Sequence, residues 1–224
     1  MQLLPDNFST TGGTIDHLFY VILWITGIAF VVVQVCLLLF VILYRARPGR
    51  TAAYIHGSTP VEIIWTVVPT IILVVLGFAS QGAWANLRER VPANATRIEI
   101  LAEQFAWNIR YPGPDEVFNT EDDVTTINQL HVPVNQPVVV HLRSKDVIHS
   151  FFLPLLRVKQ DAVPGLTTRV WFEATQPGQH EIACAELCGL GHYRMRGFLT
   201  LESPEAWQAW LTSQGKQRVA EYAP

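Results

Sequence analysis

Charge is scarce in this chain. Asp, Glu, Lys and Arg make up 16% of its 224 residues, against about 25% in an ordinary soluble domain. The 16 bases and 19 acids leave a net charge of -3. With no basic excess to attract a polyanion, there is no general reason to expect nucleic-acid binding, and no nucleic-acid partner is expected. Three cysteines are too few for a disulfide scaffold. Methionine occurs only at Met1 and Met195, and no repeat or low-complexity tract is present. Half of the residues are hydrophobic, which excludes a disordered chain and speaks against a fully soluble one.

Two stretches lack charge altogether. Leu18 to Tyr44 and Ile63 to Trp84 contain no Asp, Glu, Lys or Arg, and each reaches the length of about 20 residues that a helix needs to cross a bilayer. Residues 1–17 contain no Lys or Arg, so the basic start of a cleaved signal peptide is missing and the first run reads as a retained helix. Gln34 is its one strongly polar side chain and prefers a protein neighbour to lipid; Pro69 removes a helical hydrogen bond from the second run and predicts a local bend. The connection between the runs carries Arg45, Arg47 and Arg50 and no acid. Positive loops stay in the cytoplasm, which puts both termini outside, on the periplasmic face of a bacterial inner membrane. Glu62, at the cytoplasmic start of the second helix, is either a carboxylate favoured by the helix dipole or a proton-carrying group at the membrane edge.

The pattern changes near Val91. Short β-rich stretches alternate with turn signals at Pro112-Gly113-Pro114, Asn135-Gln136-Pro137, Pro164-Gly165 and Pro177-Gly178. Strands at this spacing predict an antiparallel sandwich of Greek-key type, with Val138, Val140 and Leu142 on one face of a strand and Val139, His141 and Arg143 on the other. Near the end, Ser203-Pro204-Glu205 has the form of a helix start, and Trp207, Trp210 and Leu211 follow with helical spacing. The expected domains are 1–90, with helices over about 18–44 and 63–84, and 91–224. Cys36 reads as a packing residue, and His17, His56, His131, His141 and His180 read as structural or surface residues.

The chemistry is concentrated in one stretch, Cys184-Ala185-Glu186-Leu187-Cys188-Gly189-Leu190-Gly191-His192-Tyr193-Arg194-Met195, with His149 upstream at a strand end. A short-loop disulfide between Cys184 and Cys188 leaves the neighbouring His and Met unexplained. Zinc takes Cys and His but not thioether sulfur as a usual ligand. Thiolate and thioether together are soft donors and favour copper. Two thiolates can bridge two ions, whereas a mononuclear blue-copper site needs one; spacing alone leaves that choice open.

This stretch, with Val61-Glu62-Ile63-Ile64-Trp65-Thr66-Val67-Val68-Pro69, Asp146-Val147-Ile148-His149-Ser150 and Lys159-Gln160-Asp161-Ala162-Val163-Pro164-Gly165, resembles cytochrome c oxidase subunit II over nearly the whole chain. The resemblance implies a membrane-anchored all-β fold: a transmembrane helical hairpin followed by a cupredoxin-like Greek-key sandwich. It implies a dinuclear copper A centre bridged by Cys184 and Cys188, with His149 and Met195 completing one ion, and His192 and the Glu186 carbonyl the other. The Glu186 side chain then reaches a magnesium ion at the interface with subunit I, and Glu62 stands at the mouth of a proton pathway. Asp161 matches a position near that interface. Phe151, Phe152 and Leu153 would shield the centre from water.

The implied function is subunit II of a haem–copper terminal oxidase. It takes electrons from a periplasmic donor such as cytochrome c and passes them to haem in subunit I, where oxygen is reduced and protons are pumped; a subunit III and membrane lipid are further partners. No Cys-x-x-Cys-His haem motif is present, so the donor is expected to be a separate protein. Where the family places an aromatic cluster for electrons to enter, this chain has Gln104-Phe105-Ala106-Trp107: Phe105 replaces the usual tryptophan and Trp107 remains, which leaves the donor open. Glu116, Glu121, Asp122, Asp123 and Asp146 are candidates for steering a basic donor. Three alternatives stand beside this reading: the copper A subunit of a membrane nitric oxide reductase, a copper-free quinol-oxidase relative, and a tethered copper-delivery protein. The intact ligand set argues against the second, and a trapped pair of bridging thiolates against the third.

Overall fold

A computed structural model describes residues 3–88 and 91–221. The chain divides into two compact units, residues 16–84 and residues 1–15 with 85–224. Residues 1–15 group with the sandwich in this division.

The helical unit is built from α1 (Gly12–Leu43) and α2 (Thr59–Arg88). Both helices start earlier than their uncharged runs because the chain supplies caps there. The Ser9 hydroxyl accepts the Gly12 N–H at 2.9 Å, which satisfies an N–H that a helix start leaves without an intrahelical partner. At α2 the Ser58 carbonyl accepts the Glu62 N–H, with Pro60 in the first turn, where its missing N–H costs nothing. α2 continues through Pro69. Large apolar side chains such as Trp24, Phe30, Trp65 and Phe78 are exposed along both helices, as spans that meet lipid or neighbouring subunits require.

The other unit is a two-layer β-sandwich. One sheet contains β1 (Thr96–Glu103), β2 (Ala106–Tyr111), β3 (Val124–Ile127), β5 (Pro137–Ser144) and β8 (Thr168–Glu173), in the order β3-β2-β1-β5-β8. The second holds β4 (Gln129–Pro133), β6 (His149–Leu153), β7 (Val158–Ala162), β9 (Gly178–Cys184) and β10 (Arg196–Glu202), in the order β4-β10-β9-β6-β7. Two pairs, β1 with β5 and β4 with β10, are parallel, which departs from the purely antiparallel expectation. In each case the partners are far apart in sequence, so the long connection that a parallel pair needs is available.

Period-2 alternation sends Ile98, Ile100, Ala102, Trp107, Ile109 and Tyr111 into the core, together with Val138, Val140 and Leu142. Val139 is also buried, although it lies on the opposite face of β5. That strand is internal, and Val139 stands in register between Arg97 on β1 and Trp171 on β8, whose side chains share its face.

Ahead of α1, the Phe8 N–H donates to the Leu155 carbonyl and the Thr175 N–H to the Phe8 carbonyl, and Ser9 bridges to Ala174. After the last strand, α3 (Pro204–Glu221) begins at Ser203, whose hydroxyl accepts the Ala206 N–H. The Trp207 indole donates to the His131 carbonyl, and Trp210 stacks on the His131 ring at 4.0 Å.

Candidate metal centre

Four chain segments converge at one end of the sandwich: the β1–β2 turn, the start of β6, the end of β9, and the loop from Cys184 to Met195. The loop is held from both sides. The Cys184 N–H donates to the Met195 carbonyl, and the Ala185 N–H to the Ser150 carbonyl; inside the loop the His192 N–H donates to Gly189 and the Met195 N–H to His192. Gly189 adopts φ +131°, a conformation that side chains disfavour.

The donor atoms meet there. The Cys184 and Cys188 sulfurs are 3.8 Å apart, far longer than a disulfide bond of about 2.05 Å, and both thiols are free. Cys188 Sγ is 3.7 Å from Met195 Sδ and 3.6 Å from His192 Nδ1, while His149 Nδ1 stands 3.2 Å from Met195 Sδ. The ligating atoms of His149, Cys184 and Cys188 all lie within 4.8 Å of one another. The Glu186 carbonyl is 3.4 Å from Cys184 Sγ, and its side chain is exposed. His149, Cys188 and Met195 are buried; Cys184 and His192 are half-buried.

The second nitrogen of His149 is also engaged. Nε2 lies 2.9 Å from Asp146 Oδ1. An ionised carboxylate only accepts, so Nε2 carries the proton and Nδ1 turns its lone pair toward Met195 Sδ. A carboxylate behind a metal-facing imidazole fixes its tautomer and orientation in this way. Burial works against the Asp146 charge, but hydrogen bonds from His149 and from the Gln104 and Val147 N–H groups outweigh it and hold the carboxyl below its ordinary range. Burial foremost, and then the charge of Cys184, push the Cys188 thiol up to about 12. Two thiolates at this spacing therefore need a cation between them. The donor set fits soft metal ions: two thiols, a thioether, two imidazoles presenting Nδ1 and a carbonyl, with distances that shared ligation requires.

The aromatic residues occupy two depths. Trp107 is fully buried, its ring 6.2 Å from that of His149 and 5.6 Å from that of Phe151. Phe105 is 37% exposed. Its ring lies on the loop so closely that a Cβ at Gly191 would come within 2.4 Å of it. Phe151 and Leu153 are fully buried and Phe152 half-buried.

The acidic residues separate. Asp146 belongs to the cluster, but Glu116, Glu121, Asp122 and Asp123 lie in the loop that joins Tyr111 to Val124, at the far end of β2 from Phe105. Five rises of about 3.3 Å put that loop about 17 Å away. Asp123 is buried and pairs with Arg110 at 3.5 Å. Of the five acids named as candidates for steering a donor, only Asp146 therefore stands beside the cluster. Asp161 accepts a 2.6 Å hydrogen bond from the Ser150 hydroxyl. Sequence reasoning missed Gln104, whose side-chain amide donates to the Cys188 carbonyl at 2.5 Å; a lone Gln beside a strand end carries no chemical signature.

Known proteins share this organisation. Residues 101–200 match the family described as cytochrome C oxidase subunit II, periplasmic domain, and residues 1–81 match the transmembrane domain of the same subunit. The alternative cytochrome c oxidase subunit 2 of Bradyrhizobium diazoefficiens is 34% identical over 92% of this chain and 82% of its own. The cytochrome c oxidase subunit 2 of Thermostichus vulcanus is 30% identical over 93% of this chain and 77% of its own. The crystal structure of the periplasmic domain of subunit II of cytochrome oxidase from Bradyrhizobium japonicum superposes with a TM-score of 0.51 at 27% identity, covering 57% of this chain and 99% of that one. With both of its parts matched, the hairpin as a membrane anchor and the sandwich that carries the sulfur cluster, the chain belongs to the cytochrome c oxidase subunit II family.

Proposed function

We propose that this chain accepts electrons, one at a time, for a haem–copper oxidase, at a dinuclear copper centre on the periplasmic side of the membrane. The observation that carries the reading is the pair of free thiols 3.8 Å apart within reach of a thioether and two imidazole Nδ1 atoms. Cys184, Cys188, His149, Met195, His192 and the Glu186 carbonyl would hold the ions. Such a pair supplies a one-electron carrier whose change of charge is spread over two metals.

The protein's part is to hold these donors still. The loop hydrogen bonds and the sandwich beneath them keep the ligands in place before and after transfer, so little reorganisation accompanies the change of charge. Phe151, Leu153 and Trp107 exclude water from the inner side. Phe105, exposed and lying on the loop, is where electrons from cytochrome c or another periplasmic donor would enter, with Trp107 behind it beside His149. Electrons would leave toward haem in subunit I, where oxygen reduction and proton pumping take place. The exposed Glu186 side chain is free to meet magnesium at that interface, and Glu62, in the first turn of α2, would serve the proton pathway. A subunit III and lipid would surround the hairpin. The relatives named above are oxidase subunits, and no residue favours the nitric oxide reductase reading.

The test is copper loading of the metal-free full chain in detergent. Two coppers per chain and a seven-line electron paramagnetic resonance spectrum are expected, because two equivalent nuclei split one shared electron into seven lines. One copper with four lines, or zinc alone, overturns the reading.

A further inference from the structure

Gln104 belongs to the β1–β2 turn, yet it is tied to both sides of the cluster. Its backbone N–H donates to Asp146 Oδ2 at 2.8 Å, and the other oxygen of that carboxylate receives the His149 Nε2 proton at 2.9 Å. Its side-chain amide donates to the Cys188 carbonyl at 2.5 Å. One residue thus joins the carboxylate behind the His149 imidazole to the backbone of Cys188, two parts of the cluster that are distant in sequence and arise from different elements. The loop leaves room for it: a Cβ on Gly189 would stand 2.7 Å from Gln104 Nε2, and the φ of +131° there is a conformation that side chains disfavour.

The strand ends flanking the turn are themselves braced. Asn108 Nδ2 donates to Glu103 Oε1, and Lys145 Nζ pairs with Glu103 Oε2 at 2.6 Å. The Lys145 N–H donates to the Ala102 carbonyl, which fastens the Asp146 turn to the end of β1. Gln104 therefore projects from a fixed base, and its two hydrogen bonds can act as a strut.

We propose that Gln104 and Asp146 form a clasp that sets the separation of His149 and Cys188, positioning residues for a metal they do not touch. The proposal rests on the metal-centre reading above, but the clasp exists in the metal-free chain and can be tested there. Outer partners of metal ligands alter metal affinity by about 10–100-fold when removed, and this clasp acts on two ligands at once.

The experiment compares wild type, Gln104→Ala, Asp146→Ala and the double variant, each as the full chain in detergent. In the metal-free proteins, amide hydrogen exchange of residues 186–192 is measured. In copper-loaded proteins, the rate of copper loss to a chelator, the hyperfine splitting and the reduction potential are measured. Gln104→Ala is expected to speed exchange in the loop by about tenfold and copper loss by about 10–100-fold, with all ligands still present and a broadened hyperfine pattern. Asp146→Ala is expected to raise the reduction potential, because an imidazole without a carboxylate behind it donates less charge to the oxidised centre. The double variant should lose copper more slowly than the product of the two single effects predicts, since both remove one connection. Exchange and copper loss within about twofold of wild type in Gln104→Ala, or multiplicative effects in the double variant, overturn the clasp. Failure of wild type to take up copper overturns the functional reading instead, and the exchange measurement still decides the clasp.

Discussion

Phe105 is held in place by the absence of side chains. Its ring contacts Gly191, where a Cβ would approach within 2.4 Å, and Gly189, where one would come within 3.3 Å of the ring tip. Gly191 has φ -90° and ψ 5°, a backbone conformation that alanine can adopt, so Gly191→Ala displaces the ring without straining the loop. If electrons enter through Phe105, Gly191→Ala and Phe105→Ala should slow donor oxidation by similar factors while the copper spectrum stays unchanged; stopped-flow mixing with reduced donor measures both. Trp107 answers to a different force. It is fully buried between His149 and Phe151, and Trp107→Ala should cost about 3–5 kcal/mol through lost contact and a cavity, read from denaturant unfolding of the metal-free protein. The candidate donors were legible in the sequence because thiols, an imidazole and a thioether crowd into one short stretch, with His149 upstream at a strand end. The seat of Phe105 and the reach of Gln104 were not, because both join residues far apart along the chain, and only the fold brings them together.

Strands and helices were legible where periodicity was strong and caps were visible. The hairpin, the β-rich half and the Ser203 helix start all follow from local chemistry, whereas the parallel pairing of β1 with β5 depends on the route between them. Two imidazoles that reasoning by spacing left as structural or surface residues show what that packing does. His141 on β5 and His180 on β9 both hold protons less readily than usual; burial is the main cause for each, and Arg97 adds to it for His141. His180 packs on Phe8 at 4.9 Å, so it helps to seat the segment ahead of α1. In each case the unfolded chain accepts a proton near pH 6.5 that the folded chain refuses. Stability is therefore complete above that pH and falls as the pH drops through it. The metal-free protein should melt at a lower temperature at pH 5.5 than at pH 7.5, and His141→Gln with His180→Gln should shrink that difference. An unaltered difference would assign the pH response to other groups.

Over the whole sandwich, the acidic loop beyond Tyr111 and the sulfur cluster occupy opposite ends. Glu116, Glu121 and Asp122 belong to the loop beyond Tyr111, about 17 Å of strand away from Phe105. Around the sulfur cluster the large apolar residues Leu187, Leu190 and Tyr193 are 77%, 98% and 82% exposed, beside the exposed Glu186 and Arg194, and Asp146 there is already committed to His149 and Gln104. Exposed charges are screened over about 8 Å at physiological salt, so the distant acids lie roughly two screening lengths from where a donor would bind. If the donor binds over Phe105, their influence on its capture at that salt would be correspondingly small, and the residues around the cluster would supply most of the binding. Replacing Glu116 and Glu121 together by Gln should leave kcat/KM for the reduced donor, and its slope against ionic strength, within about twofold of wild type. A marked flattening of that slope would mean that the donor approaches across the acidic end, and would move the point of electron acceptance away from Phe105.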